Sequence, residues 1–503
     1  MNAPVNEQDV APGAAFSLYQ PLSGLIRRAP VTYPPGTPLR DPVERMYREH
    51  IGSIVVANAD MVPLGIVTAH DLLGRVLLQG RELSAPIESA MSPQPVTLPV
   101  DATAHEAVLA MARHGVRYVL VVEHGGRLVG VVSRSDVYGT QQIVPEDVVS
   151  PLISARSSSE LADAAAAARR FAKRLVTQGL AADKVIQWTT SLNDFVTSQA
   201  IELMRARFAL PDVPWSWMAF GSEGRLEQTL STEQNNGIIF ALPRHESAGE
   251  STSKSTGENA QKTADEIRAQ FLPFAQAVNQ LLDECGFPLG RGQSMAGNPA
   301  CCLSEGEWQS RFAEWVTNAD ARTLLTAGIF FDFRALFGAA ELVDSLRVAL
   351  ATLAQQHDAF LKPMAANALL AVPPLGMVRT FVLDKKNAFP NTIDLKMSGT
   401  RPYVDAIRVL ALANGVQASG TAARMRGLGA KAGFSAEDVQ AAIDGFHFLQ
   451  MLRLRNQQQQ GGNDASVNRL NPYKLNRLER QILRHAFMQA RRLQQRLKAD
   501  YKL

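Results

Sequence analysis

The residues with the clearest potential for chemistry lie in one polar stretch between two apolar segments. The glycine-rich sequence GSEGR at 221–225 follows the apolar run 215–220, and Glu233 and Asn235 precede a second apolar run. This order predicts a strand, a tight turn, a helix, a polar loop and a buried strand. A Gly-Ser-x-Gly sequence alone is found in many turns, so a specific prediction depends on the order of all these segments.

This layout resembles nucleotidyltransferases of the polymerase-β type, and in particular the N-terminal domain of PII-protein uridylyltransferases. The resemblance implies a fold in which the turn binds the phosphates of an NTP and acidic residues near the next strand bind two Mg²⁺ or Mn²⁺ ions. Such ions neutralise charge on the phosphate oxygens and align the attacking and leaving groups. The residues that the resemblance assigns to nucleotide binding are Gly221, Ser222, Gly224, Arg225 and Arg334.

The same resemblance implies catalytic and metal-binding roles for Glu233, Asn235 and Asp332. The family pattern has aspartate at the first two positions, whereas this chain has a longer acid and an uncharged amide there. That change removes one negative charge from a two-metal site, which weakens the expected metal affinity. Asp332 and Arg334 lie in an alternating segment, 329–334, and are expected on one face of a strand. They are either a third carboxylate with a triphosphate contact or a salt bridge at the strand edge.

The segment 243–264 separates the second apolar run from the next helical pattern and is rich in Ser, Gly, Glu and Lys. Its low hydrophobicity predicts a flexible insertion, either a passive loop or a cover for a cleft. An amphipathic helix is expected over residues 267–285. The two segments after it, 286–295 and 298–308, again resemble the uridylyltransferase domain.

An internal repeat without gaps occupies the region before the polar stretch. The sequence Pro-Val-Thr at 30–32 recurs at 95–97, and each copy predicts a helix followed by two short apolar strands. We expect the two copies to pack their sheets against each other. The further landmarks that recur at the same offset of 65 residues are Met46 and Met111, Gly65 and Gly130, and Asp71 and Asp136.

The sequences that end the two copies, GIVTAHDL at 65–72 and GVVSRSDV at 130–137, closely resemble the signature of CBS domains. The resemblance implies that a hydroxyl and an acid three residues later bind AMP, ADP or ATP. A carboxylate can accept hydrogen bonds from both ribose hydroxyls, and a hydroxyl at a helix start can contact phosphate. The alternative is an N-cap with its capping partner. The candidate residues are Thr68, Asp71, Ser133 and Asp136.

Helical periodicity dominates the remaining regions. Apolar residues repeat at helical spacing over 158–208 with a break at Gly179, which predicts a hairpin connector. Nearly everything after residue 341 is predicted to be helical and resembles the helical domain that follows this transferase domain in its relatives. Residues 451–503 contain 12 Lys/Arg and 3 Asp/Glu. These basic residues either line a nucleotide or acidic-protein surface or solvate a helix: Arg453, Arg455, Arg469, Lys474, Arg477, Arg480 and Arg484.

Composition excludes several classes of protein. A hydrophobic fraction of 46% with 20% charged residues is typical of globular proteins, and a net charge of +3 gives no whole-chain field for nucleic acid. The three cysteines, Cys285, Cys301 and Cys302, are too few for a disulfide framework or a four-ligand zinc site. The sequence has neither a signal-peptide pattern nor a membrane-spanning apolar run. We therefore expect a cytoplasmic protein without membrane or nucleic-acid partners.

The sequence as a whole predicts an α+β multidomain protein. We expect a signal-transducing nucleotidyltransferase, similar to PII-protein uridylyltransferase, that modifies an unknown protein acceptor under adenine-nucleotide control through the CBS pair. The alternative is a catalytically degenerate regulatory protein that senses nucleotide. By analogy with CBS proteins, a homodimer is expected. The expected regions are a disordered N-terminus 1–20, a CBS pair 21–145 (copies 24–80 and 89–143), a helical connector 146–210, a polymerase-β-type domain 211–340 and a C-terminal helical domain 341–503.

Overall fold

The structure is a computed structural model, and it divides the chain into two units, residues 1–154 and 155–503. The predictions for the N-terminus 1–20 lie outside the described residues. The residues that the structure describes are 21–123, 125–138, 146–243, 253–290, 294–318, 324, 328–376, 380–384, 389–429, 431–460 and 465–503.

The first unit contains the two predicted copies of one repeat. Each copy forms its own small sheet, with strand orders β1-β2-β3-β4 and β5-β6-β7, in which the central hairpin is antiparallel and the first strand is parallel to its neighbour. The elements are β1 (Thr32–Tyr33), α1 (Arg40–Arg48), β2 (Ser53–Ala57), β3 (Pro63–Thr68), α2 (Ala69–Asp71) with a π-helical continuation (Leu72–Leu77), β4 (Ser92–Pro93), β5 (Thr97–Pro99), α3 (Ala104–Arg113), β6 (Tyr118–Val122), β7 (Leu128–Ser133), α4 (Arg134–Tyr138) and α5 (Glu146–Ser154).

The two copies pack sheet against sheet, as the sequence predicts. Val55 of β2 and Leu120 of β6 belong to one buried cluster that joins the sheets. The copies also exchange their leading segments, because Ile26 lies on Gly130 and the equivalent Met91 lies on Gly65. A Cβ atom at either glycine would overlap the side chain that covers it. The repeat therefore keeps glycine at the two positions where the partner copy approaches the strand.

The second unit begins with a helical hairpin and a mixed sheet of order β10-β9-β8-β11. Strand β8 is central, and its apolar sequence is buried from Trp217 to Phe220 because neighbouring elements cover both of its faces. The hairpin α6–α7 packs on α9, and the indole of Trp308 donates to the backbone oxygen of Ile238 at 3.0 Å. The elements are α6 (Ser158–Thr177), α7 (Ala182–Arg205), β8 (Trp215–Phe220), α8 (Gly221–Gly224), β9 (Asn236–Phe240), α9 (Ser253–Glu284), β10 (Cys302–Ser304), α10 (Glu305–Thr317) and β11 (Phe333–Gly338).

Two local predictions in this part of the chain are wrong. Residues 253–264 of the expected flexible insertion are helical, since the amphipathic segment that buries Ala264, Ile267 and Phe271 extends its first turns through a proline-free polar sequence. Residues 244–252 of that insertion lie outside the described part of the chain. The segment 329–334 is also not a strand throughout, because residues 328–331 form a turn and β11 begins only at Phe333.

The C-terminal region is mainly helical, as predicted, with one short antiparallel pair of strands. Its helices share a single buried cluster with the sheet, which runs from Phe220 in β8 to Phe487 near the end of the chain. The elements are α11 (Ala340–Gln356), α12 (Asp358–Ala368), β12 (Ile393–Asp394), a π-helix (Leu395–Thr400), α13 (Arg401–Ala413), α14 (Thr421–Leu428), α15 (Ala436–Gln460), β13 (Arg469–Leu470) and α16 (Arg477–Tyr501).

The three cysteines are buried and form no disulfide bond with one another. Burial raises the pKa of Cys285 and Cys302 to about 12 and that of Cys301 to about 11, so the thiols stay protonated at neutral pH. Within the described ranges, no helix combines the length and apolar character needed to cross a membrane.

We predict that Gly224→Ala strongly destabilises the second unit. The new Cβ atom would overlap the backbone oxygen of Asp332, and backbone cannot move aside as a flexible side chain can. Gly306→Ala is the matched control, because Gly306 lies in α10 with open space around it, and alanine is the better helix former by roughly 1 kcal/mol. Thermal unfolding should show a clear loss for the first variant and no loss for the second. Equal transition temperatures would contradict the close approach.

Candidate active site

The residues of the glycine-rich turn lie in a cleft of about 350 Å³ between the sheet and the C-terminal helices. Gly221, Ser222 and Arg225 line one wall together with Glu233 and Asn235, so five of the predicted positions meet at one site. The opposite wall comes from the C-terminal region, which the sequence did not place there. Among the described residues, the cations on that wall are Lys396, Arg401, Arg408 and Arg453.

The turn after β8 has its shape because Gly221 adopts a φ of +60°. Its N–H donates to the backbone oxygen of Asp332 at 2.9 Å, so this group is already used within the protein. A side chain at Gly221 would overlap Ile329 at 2.8 Å, which leaves glycine as the residue that fits. The turn thereby presents Ser222 and Arg225 to the cleft. Gly224 does not line the cleft, because it packs on the backbone of Asp332.

Two polar side chains hold the loop that carries Glu233 and Asn235. Gln234 is buried and donates to the backbone oxygens of Asn279 and Phe287 at 2.9 and 2.8 Å. Asn236 is also buried and accepts from the side chain of Asn279 at 3.0 Å. Alternate residues therefore point into the protein, which leaves Glu233 and Asn235 on the cleft side. Gln234 and Asn236 are not among the predicted site residues, although the alternation of TEQNN at 232–236 could have indicated them.

Asp332 is the centre of a buried ion-pair cluster. Its side chain is 0% exposed, and its carboxylate receives hydrogen bonds from three guanidinium groups. Burial alone would raise the pKa of Asp332, but the three arginines hold it well below its usual range. Its partners are Arg225 from the turn, with Nη1 at 2.7 Å from Oδ2, and Arg408 and Arg424 from α13 and α14.

This cluster contradicts the expectation that Asp332 binds a metal ion. Both carboxylate oxygens already accept from arginine, and Asp332 does not line the cleft. The sequence left open the alternative that Asp332 forms a salt bridge, and its contacts are of this kind. Asp332 lies just before β11 rather than within the strand. Two further carboxylates complete the cluster, because Glu227 pairs with Arg225 at 2.8 Å and Asp405 pairs with Arg408 at 2.8 Å.

Arg334 does not reach the cleft either. Its side chain is buried, and its Nη2 donates to the carboxylate of Asp194 in α7 at 2.7 Å. Its Nε donates to the backbone oxygen of Glu223 at 3.0 Å. The predicted contact between Arg334 and a triphosphate is therefore wrong, because the side chain connects β11 to Asp194 in α7 and to the backbone of Glu223.

The donors on the cleft fit one Mg²⁺ ion but not two. Glu233 is exposed and Asn235 is half-buried, and both line the cavity. Mg²⁺ is commonly held by one or two carboxylates together with substrate phosphates and water. The other carboxylates on this cavity, Glu227 and Asp405, are engaged by arginine. Within the described residues, no cluster of three or more His, Cys, Asp or Glu side chains could hold a metal ion.

The candidate adenylate residues of the first unit form capping boxes. The backbone N–H and hydroxyl of Thr68 both donate to the Oδ2 of Asp71, at 2.9 and 2.6 Å, and the Asp71 N–H donates back to the hydroxyl. Ser133 and Asp136 repeat this arrangement one copy later. The other carboxylate oxygen of Asp71 accepts from Ser92 at 3.0 Å. The capping alternative is thus present in the structure, and a role in adenylate binding stays a prediction.

Comparison with protein families agrees with this organisation. CBS domain models match residues 22–78 and 87–140. A model described as "Putative nucleotidyltransferase DUF294" matches residues 166–322, and one described as "Putative nucleotidyltransferase substrate binding domain" matches residues 358–501. The chain joins a CBS pair to both domains of the DUF294 nucleotidyltransferase family. The cleft therefore lies between the nucleotidyltransferase domain and the substrate-binding domain of this family.

Several individual relatives match about a quarter of this chain or less. An uncharacterized protein of Methanopyrus kandleri is 38% identical over 106 residues, which are 20% of this chain and 54% of that protein. The chain thus spans about half the length of this curated relative. A CBS domain protein of Pyrobaculum aerophilum, solved in complex with AMP, is 30% identical and covers 23% of this chain and 88% of its own, with a TM-score of 0.22. A CBS-domain protein of Agrobacterium tumefaciens is also 30% identical over 24% of this chain and 96% of its own, with a TM-score of 0.22.

We predict that Asp332→Asn destabilises the second unit by about 3 kcal/mol or more, because it leaves three buried guanidinium groups without their shared counter-charge. The matched control is Asp344→Asn, since Asp344 is 63% exposed and pairs with Arg347 at the surface. Urea unfolding should show a large loss for the first variant and a change within about 0.5 kcal/mol for the second. A small loss at Asp332 would mean that the arginines do not depend on its charge.

A second prediction concerns Glu223, which is buried beside Asp194 and Arg334. Burial, reinforced by the negative charge of Asp194, raises the pKa of Glu223 to about 8 against an ordinary value of 4.5. The folded protein therefore keeps a proton that the unfolded chain loses above pH 4.5. Stability from this group is fully present below pH 4.5 and decreases as the pH rises toward 8. Glu223→Gln cannot lose a proton, so its free energy of unfolding should not show this decrease.

Urea midpoints at pH 5.5 and pH 8.5 provide the measurement. The stability of Glu223→Gln relative to the wild type should increase by about 3 kcal/mol between these values. Glu341→Gln, an exposed position in the same unit, is the control and should follow the wild type. Parallel profiles for the wild type and Glu223→Gln would show that Glu223 is ionised when folded.

Proposed function

We propose that this protein binds an NTP in the cleft and transfers its nucleotidyl group to a protein acceptor. The observation that carries the proposal is the position of Ser222, Arg225 and Glu233 on one wall of a cleft whose opposite wall is cationic. Phosphoryl transfer depends mainly on positioning and on electrostatic stabilisation of phosphate oxygens. The cleft offers a hydroxyl and a guanidinium beside the turn, and an exposed carboxylate on the same wall. The family match to a nucleotidyltransferase supports the same reaction class.

Each predicted residue that lines the cleft has a defined part in this proposal. Gly221 gives the turn the φ of +60° that presents Ser222 to the cleft, and Ser222 offers its hydroxyl to a phosphate oxygen. Arg225 is fixed by its ion pairs with Glu227 and Asp332, so its position does not have to be acquired on binding. Glu233 and Asn235 would hold one Mg²⁺ or Mn²⁺ ion that arrives with the nucleotide. When bound, that ion supplies positive charge to the phosphate oxygens.

We further propose that adenine nucleotide bound to the CBS pair controls the transfer. Thr68, Ser133 and Asp136 are half-buried and Asp71 is buried, and these hydroxyl and acid pairs lie at helix starts, where a ribose and a phosphate can be bound. A CBS relative was solved with AMP, which supports this ligand class. The proposal includes a cytoplasmic location and a homodimer, as expected for CBS proteins.

A second candidate function follows from the donor set of the cleft. Asn235 carries no charge where the family pattern has an acid, and Asp332 is committed to arginine. A protein with this site can bind nucleotide without transferring it, and would act as a sensor through a partner. The two candidates share nucleotide binding and differ in whether a covalent product forms.

Label transfer distinguishes the two candidates. The full chain is incubated with each α-labelled NTP, Mg²⁺ or Mn²⁺ and a soluble extract, with and without AMP or ATP. We expect covalent label on a protein, lost in Ser222→Ala and Glu233→Gln and retained in Glu341→Gln. The combined variant Asp71→Asn/Asp136→Asn should abolish the response to added adenylate. Asp332 variants are unsuitable, because their loss of stability would be mistaken for loss of chemistry.

Two other outcomes would overturn this assignment. Nucleotide binding without label under every condition would favour the sensor. Label that persists in both Ser222→Ala and Glu233→Gln would place the chemistry outside this cleft.

A further inference from the structure

The cations that line the cleft fall into two groups by their contacts. Arg225, Arg401 and Arg408 each pair with a carboxylate at 2.7–3.0 Å. Lys396 and Arg453 make no ion pair with any carboxylate in the part of the chain that the structure describes. The cleft wall therefore carries two positive charges beyond those that its own acids neutralise.

Arg453 is buried without a counter-charge in contact. Its side chain is only 7% exposed, although it lines the cavity. Its Nη1 donates to the amide oxygen of Gln450 at 2.7 Å and its Nε to that of Asn468 at 3.2 Å, and both acceptors are neutral. Burial lowers the pKa of Arg453 to about 10, so the group is still charged at neutral pH. Burying an unpaired charge is unfavourable, which makes this position costly unless an anion joins it.

Lys396 lines the same cavity and lies in the first turn of the π-helix, whose backbone is held in place by a side chain. The carboxylate of Asp394 accepts from the N–H groups of Lys396 and Met397 at 2.9 and 2.8 Å, which anchors the start of the π-helix. The side chain of Lys396 is exposed toward the cleft. Surrounding protein lowers the pKa of Lys396 and the charge of Arg453 lowers it further, whereas the carboxylates of Glu233 and Asp394 oppose this shift. The two cations are thus close enough to repel each other.

The charges that line the cavity make an anion the matching ligand. Among the described residues that line it, five are cations and three are carboxylates, Glu227, Glu233 and Asp405, and Ser222 adds a hydroxyl. A phosphate group has enough oxygens to accept from a guanidinium, an ammonium and a hydroxyl at once. Because the protein supplies these positive charges itself, the binding of phosphate here does not need a metal ion.

We propose that Lys396 and Arg453 form an oxyanion subsite that binds a phosphate group without a divalent metal ion. The inference rests on the proposed function only for the nature of the ligand, which is the triphosphate of a nucleotide or a phosphate carried by the acceptor. It assigns to the substrate-binding domain a direct contact with the substrate's negative charge.

The test is calorimetric binding of inorganic tripolyphosphate, ATP and UTP to the full chain in EDTA and again in Mg²⁺. We expect tripolyphosphate to bind in EDTA, with about tenfold weaker affinity in Lys396→Gln and in Arg453→Gln. The matched control is Arg401→Gln, which removes an equal charge from the same cavity but one already paired with Asp405. Its affinity should stay within about threefold of the wild type. Lys396→Gln decides the result if Arg453→Gln folds poorly, because Lys396 is exposed.

Comparing the three ligands in EDTA and in Mg²⁺ tests this inference separately from the proposed function. Parallel weakening of ATP and UTP assigns the subsite to the nucleotide, and unchanged affinity for them assigns it to the acceptor. Binding of tripolyphosphate in EDTA with no binding of any nucleotide would support the subsite and overturn the proposed function. Tripolyphosphate binding that requires Mg²⁺, or that Lys396→Gln weakens no more than Arg401→Gln, would overturn the subsite and leave the proposed function standing.

Discussion

The buried carboxylate of Asp332 is the constraint on which the second unit depends. Arg225 reaches it from the turn after β8, and Arg408 and Arg424 reach it from two helices of the C-terminal region. A carboxylate that is fully buried must be neutralised by groups whose positions are fixed, since mobile partners would leave it exposed to its full desolvation cost. The cluster therefore fixes the substrate-binding helices against the sheet, and the cleft is the space that this arrangement leaves open.

The same cluster determines the electrostatics of the cleft. Glu227, Asp332 and Asp405 pair with Arg225, Arg408 and Arg424, and Asp405 also pairs with Arg401, so each of these arginines already has a carboxylate partner. The charges that remain for a ligand are those outside the network, Lys396 and Arg453 on one wall and Glu233 on the other. Because Lys396 and Arg453 have no carboxylate partner among the described residues, they are available to bind an anionic ligand.

Some of this arrangement could be predicted from the sequence and some could not. The CBS copies and the glycine-rich turn could be predicted, because they depend on short sequences whose residues are neighbours along the chain. The roles of Asp332 and Arg334 could not, since an acid and an arginine two residues apart are equally suited to a cleft or to buried ion pairs. Their partners, Arg408 and Asp194, are distant in sequence, and no local pattern points to them.

The sequence by itself determined the order of domains, the paired repeat, the strand–turn–strand layout and the wall of the cleft that includes Ser222 and Glu233. The repeat and the strand–turn–strand layout follow from periodicity and from turn residues, which are local properties, whereas the domain order and the cleft residues follow from the family resemblance. Only the tertiary structure decided which charged side chains are neutralised and which are free for a ligand. That division depends on distances between residues far apart in the chain, because Coulombic interaction and desolvation act through space.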